Sequence, residues 1–158
     1  MTTDVAHRTA VEVTHLCDFS IDFEDIQIMP AGGLTRVVYV VKNGTVEGKR
    51  INGEIVAGGG DWILLGSDQI ARLDVRATLR TDDGELVYIT NTGRVDLRDG
   101  VLDRFSGGEP LTSADVYARS SPLFETGSEK YAWMNSIVTV AFNGFAPAHV
   151  DYEIYEVR

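Results

Sequence analysis

The stretch RLDVRATLRTDDG, residues 72–84, contains the side chains best spaced for acid–base chemistry. Side chains alternate along a strand, so Arg72, Asp74 and Arg76 share one face and Leu73, Val75, Ala77 and Leu79 the other. Facing solvent, Asp74 and Arg76 form a screened pair worth about 0–1 kcal/mol. Facing a pocket, the same pair is a carboxylate that can abstract or relay a proton beside a cation that stabilises an oxyanion. Periodicity alone favours the outward face. A second stretch, VYARSSPLFETGSEKYAWMN (116–135), places Tyr117, Phe124, Tyr131 and Trp133 among Arg119, Glu125, Lys130 and Asn135. Clustered aromatics with a few polar groups suit a small-molecule pocket and equally suit a packed core. Asp61-Trp62, after Gly58-Gly59-Gly60, is ambiguous in the same way.

Other chemistries have weaker support. Cys17 is the only cysteine, so no intrachain disulfide forms, which fits a reducing cytoplasm. In an extended strand His15 shares its face, but a small buried side chain is the simpler reading. The histidines His7, His15 and His149 are scattered and form no zinc motif, and no metal is expected. The glycine run lacks the spacing of a phosphate loop and reads as a bulge or a close backbone approach. There is no G-x-S-x-G elbow.

The elements that must carry these residues are strands. In 158 residues the pattern reads as nine or ten strands with turns every 8–12 residues, an all-β antiparallel barrel or sandwich. One short helix is expected over 96–106, from Leu97, Val101 and Phe105, stopped by Gly107-Gly108. Asn43-Gly44 is the strongest hairpin signal, Asp82-Asp83-Gly84 and Asn91-Thr92-Gly93 read as turns, and 132–143 reads as a strand. Residues 1–158 make one domain, with 1–8 as a flexible extension. The net charge of −10, from 14 Lys and Arg against 24 Asp and Glu, argues against nucleic acid and anionic membrane as partners. No signal peptide or spanning helix is evident, and a cytoplasmic location is expected. Open strand edges need cover, so a homodimer is expected.

The order GGGDW (58–62), LDVR (73–76), TDDG (81–84), YARSSPLFETGSEKYAWMN (117–135) and VDYEIYEV (150–157) resembles the domain of unknown function 3237 family. The resemblance covers roughly residues 10–158 and is specific in combination. It implies a lipocalin-like or allene-oxide-cyclase-like barrel, often oligomeric, whose lumen is lined by the signature residues. Ala118 stands where an aromatic is expected and would enlarge a pocket it reached. The resemblance tips the Asp74–Arg76 pair toward the lumen. It implies a constellation of Asp61, Trp62, Asp74, Arg76, Arg119 and Asn135, walled by Trp62, Tyr117, Phe124, Tyr131 and Trp133. Asp74 is then the first general acid or base, Asp61 the alternative, and Arg76 and Arg119 hold an anionic oxygen.

Two functions of different class follow. The first is an enzyme without cofactor that cyclises, isomerises, or adds to and eliminates from a small aromatic or enone-like molecule. The second is a barrel that binds a small molecule and does no chemistry. A third reading, a barrel packed solid whose surface does the work, requires that no lumen exist.

Overall fold

Alternating apolar side chains bury one face of each strand, and closing the sheet on itself covers that face and removes the strand edges. The computed structural model describes residues 10–158; the extension expected at 1–8 lies outside the described residues. Eight strands follow in order: β1 (Val13–Pro30), β2 (Thr35–Gly48), β3 (Gly53–Leu65), β4 (Ile70–Thr81), β5 (Leu86–Asp96), β6 (Ala118–Glu125), β7 (Thr139–Ala146) and β8 (His149–Val157). Each pairs antiparallel with the next, and β8 returns to β1, so the sheet is a closed barrel. A short helix, α1 (Val101–Ser106), follows β5, and a single 3-10 segment (Ala132–Ser136) precedes β7. No helix among the described residues is long and apolar enough to cross a membrane.

The all-β barrel is as expected, but several boundaries differ. Asn43-Gly44 is no hairpin: β2 runs through it with an irregularity between Val41 and Asn43. The glycine answers crowding instead, since a Cβ at Gly44 would lie 2.7 Å from the Ser20 carbonyl oxygen. The chain reverses after Gly48, whose N–H donates to Asn52 Oδ1 at 3.0 Å. Asn91-Thr92-Gly93 lies inside β5, and 132–136 is 3-10 rather than strand. Two segments read separately, 9–17 and 20–29, merge into the long β1, with the expected bulge near Phe23. The helix is shorter than 96–106 because Asp99 and Gly100 take positive φ just before it.

The barrel has two halves. Below, Leu79, Val87 and Ile154 are buried with Met134 of the 3-10 segment in one apolar core. That end is plugged by Asp83, in the turn after β4, which accepts hydrogen bonds from Tyr131 Oη (2.9 Å), Thr81 Oγ1 (2.6 Å) and Lys130 Nζ. Above, Ala71, Leu73, Val95 and Leu97 meet α1 at Val101, Leu102 and Phe105. This half is not filled.

Candidate functional site

The upper half encloses a cavity of about 270 Å³, which rules out a barrel packed solid by its own side chains. Its wall is mostly apolar, from Val37, Ile63, Leu73, Phe105 and Phe145 among others. Few polar groups reach it. Asp61, Tyr39, Tyr152 and Asn143 lie along the strands, while Thr35, Ser106 and His149 sit at strand ends or on α1, at the open end.

Asp61 is aimed inward by the glycine run. Between Val56 and Gly60, β3 carries two more residues than β4, whose partners there are Thr78 and Arg76. Gly58 takes φ +100°, and a Cβ at Gly59 would lie 2.5 Å from the Arg76 carbonyl oxygen. Only glycine allows this bulge, a device that re-aims the residues after it. Asp61 then sits opposite Val75 with only 6% of its surface exposed. Its Oδ1 accepts the backbone N–H of Asp74 at 3.0 Å, and Oδ2 has no hydrogen-bond partner among the described residues.

That environment sets its proton affinity. Burial pushes the Asp61 carboxyl up to about 7; the Asp74 N–H pulls it down, and the negative charge of Asp74 adds to the rise. A carboxyl that titrates near neutrality can both accept and return a proton. Burial, and then the charge of Asp61, also raises the Tyr39 and Tyr152 hydroxyls, which therefore stay protonated and able to donate. Asn143 Oδ1 is held by the Ser120 hydroxyl at 3.2 Å. Among the described residues no three His, Cys, Asp or Glu side chains gather as metal ligands.

At the rim, His149 joins β8 to β1. Its Nδ1 lies 2.7 Å from Asp22 Oδ1 and its Nε2 3.0 Å from Asp151 Oδ1. The Ser20 hydroxyl is 3.4 Å from Nε2, but a carboxylate is closer to that nitrogen, so the ring is no base for Ser20. The hydrogen bond with Asp22, against burial and with help from Asp151, raises the His149 pKa. The sign follows: the protonated ring is stabilised by folding, so its contribution is complete below about pH 6.5 and is lost as pH rises through the folded value. The stability advantage of the wild type over His149→Gln should therefore shrink between about pH 6 and pH 9 in denaturant titrations. An advantage that grows with pH would contradict this.

The structure separates the constellation expected from sequence. Asp61 alone of it lines the lumen. Asp74 and Arg76 project from the outer wall, their side chains 50% and 60% exposed and 3.6 Å apart, which corrects the expectation that they face the lumen. The reason is the pleat: Leu73 and Val75 bury inward, so their neighbours must face out. Trp62 follows Asp61 and likewise faces out, over Gly60, with its carbonyl oxygen accepting from Arg36 at 2.7 Å. Arg119 lies outside, its guanidinium over the rings of Phe142 (4.2 Å) and Tyr117 (5.2 Å), and Tyr117 is exposed. Ala118 is fully buried but does not line the cavity.

The other aromatics belong to the closed end. Phe124 and Tyr131 pack in the lower core, and Trp133 lies against it beneath Arg50, 3.6 Å from the ring centre. Asn135 clasps Thr126, accepting its N–H at 2.8 Å and donating to its carbonyl at 2.9 Å. Cys17 is the small buried side chain that the simpler reading expected, and it shares no face with His15. A bulge between them leaves His15 outside, 2.8 Å from Asp18, and buries Cys17, where burial pushes the thiol up to about 12.

Sequence reasoning missed Tyr39, Tyr152 and Asn143. Each is the polar-tipped residue on the inward face of an otherwise apolar strand: Val37-x-Tyr39-x-Val41, Val150-x-Tyr152-x-Ile154 and Ala141-x-Asn143. That alternation was the signal available.

Comparison with known proteins agrees with this architecture. A family model described as "Protein of unknown function (DUF3237)" matches residues 11–157. A UPF0311 protein of Rhodopseudomonas palustris is 30% identical over 129 residues, covering 80% of each chain. Its crystal structure, described as a conserved protein of unknown function, superposes with a TM-score of 0.88, covering 96% of this chain and 100% of that one at 25% identity. A beta-barrel like protein from Acinetobacter baumannii superposes with a TM-score of 0.80 at 27% identity, over 96% and 99% of the two chains. An enzyme from Penicillium herquei shares the fold at 17% identity, with a TM-score of 0.72 over 97% and 98%.

Proposed function

This chain belongs to the DUF3237 family, and we propose that within that fold it is an acid–base enzyme whose Asp61 moves a proton on a small aromatic or enone-like molecule in the lumen. The observation that carries the reading is a nearly buried carboxyl, titrating near neutrality, on the wall of an apolar cavity. A group with that pKa is wasteful as structure and useful as a proton carrier.

The chemistry follows from the groups present. In its ionised form Asp61 takes a proton from a carbon next to a carbonyl. The electron pair moves onto the carbonyl oxygen, and the Tyr39 or Tyr152 hydroxyl donates a hydrogen bond to the developing enolate. Asp61, now protonated, returns the proton at another position of the same molecule. The net change is an isomerisation; a cyclisation results when Asp61 instead takes the proton of an internal hydroxyl, whose oxygen adds to the β-carbon of the enone, and then returns that proton to the α-carbon of the enolate so formed. Asp61 thus takes the role that the sequence assigned first to Asp74. Asp74 contributes its backbone N–H, which positions the carboxyl.

The test is mass spectrometry of enones, phenols and lactones incubated with the protein in deuterated water. Solvent deuterium should enter at least one compound, and Asp61→Asn should abolish that incorporation. Asp74→Asn should leave it within a few-fold of wild type, because only the backbone of Asp74 touches the site. Incorporation that survives Asp61→Asn, or that depends on the Asp74 side chain, overturns the assignment.

A further inference from the structure

The charges around the lumen are distributed unevenly. Among the described residues, no lysine or arginine lines the cavity. The cations of its strands stand on the other face: Arg36 beside Thr35 and Val37, and Arg72 and Arg76 beside Ala71, Leu73 and Val75. Arg36 reaches a carbonyl oxygen of the outer wall, and Arg72 pairs with Asp68 at 2.8 Å. Among the described residues the one lining group able to become a cation is His149, and it is clamped between Asp22 and Asp151, so this rim cluster carries net negative charge even when the ring is protonated. Inside, the only formal charge among the described residues is that of Asp61, itself negative or zero. The chain as a whole carries −10.

We propose that this lumen admits only electrically neutral ligands, an apolar body bearing a hydroxyl or carbonyl group, and rejects molecules that carry a carboxylate or phosphate. The polar end of such a ligand meets Asp61, Tyr39 and Tyr152, and its body lies against Leu73 and the edge-to-face pair Phe105–Phe145, whose ring centres are 5.1 Å apart. An anion would give up its hydration, meet no countercharge, and face a carboxyl of its own sign. Sites that take carboxylate or phosphate present arginine, lysine or helix N-termini, and here those cations point away. The inference names the ligand class of the site proposed above and depends on Asp61 only as a polar contact; the lack of lining cations is independent of catalysis.

Matched pairs of equal shape test it: 2-naphthamide against 2-naphthoate and cinnamamide against cinnamate, by titration calorimetry on the wild-type protein at about pH 8. The amides should bind at least about 30-fold more tightly than the carboxylates. The gap should narrow in Asp61→Asn, which removes one negative charge. On unaltered protein it should narrow again near pH 4, where the acids approach neutrality. Carboxylates that bind as tightly as amides overturn the inference, as does failure of every pair to bind. Neutral ligands that bind but exchange no hydrogen would sink the catalytic reading and leave this one standing. Tight carboxylates with Asp61-dependent exchange would do the reverse.

Discussion

At pH 8 the Asp61→Asn protein should be more stable than the wild type, and it should be inactive. The stability gain follows from the buried charge. In the unfolded chain this carboxyl ionises near 3.8, in the barrel near 7. Between those values the folded state holds the extra proton, so wild-type stability falls as pH rises through that window and stays low above it. A tenfold change in proton affinity is worth about 1.4 kcal/mol. The rise to about 7 therefore costs the folded wild type at most roughly 4 kcal/mol above neutrality. Asparagine keeps the acceptor for the Asp74 N–H and carries no charge, so roughly 2–4 kcal/mol should be recovered, or about 5–15 °C in melting temperature. At pH 4 the two proteins should differ little. Denaturant titrations at both pH values check this, and equal stability at pH 8 would contradict a strained, buried carboxylate. A residue that destabilises the fold at working pH is of the kind that function, not folding, retains.

The second large effect separates the halves of the barrel on a single strand face. Leu79 and Leu73 both point inward from β4, six residues apart. Leu79 is fully buried in the lower core and does not line the cavity. Leu79→Ala should cost about 2–5 kcal/mol, transfer and cavity terms together. Leu73 lines a cavity that already exists. Leu73→Ala opens no new enclosed void, forfeits mainly contacts on one side, and should cost about 2 kcal/mol or less. Urea unfolding of both variants is the check; equal losses would mean that the upper half is packed as tightly as the lower.

Much of this is legible in the sequence, and the failures have separate physical causes. Alternation in 69–79, the turn at Asp82-Asp83-Gly84 and the final strand all hold in the barrel. Asn43-Gly44 misled because a hairpin turn and a bulge at a crowded crossing call for the same residue, and only the approach of the Ser20 carbonyl distinguishes them. The site went wrong where facing was judged by resemblance rather than by the pleat. Asp61 and Trp62 are neighbours on one strand and cannot both face the lumen. Likewise Asp74 cannot line it while Leu73 and Val75 do. The aromatics of 117–135 were visible as a cluster, but that Tyr131 and Trp133 close the lower end depends on Asp83 and Arg50, far away in sequence. Asp61 itself was in view as a second choice, with nothing local to show that it alone lies between glycine-permitted backbone and an empty half-barrel.

The most direct test is the titration of Asp61 itself, read from its carboxyl carbon by NMR on protein labelled at aspartate, with Asp61→Asn to assign the signal. The signal should move with a midpoint near 7, well above the ordinary carboxylate range, and binding of a neutral ligand should shift it further upward by excluding water. A midpoint near 4, unchanged by ligand, would mean that Asp61 is an ordinary solvated carboxylate and that the lumen has no proton carrier.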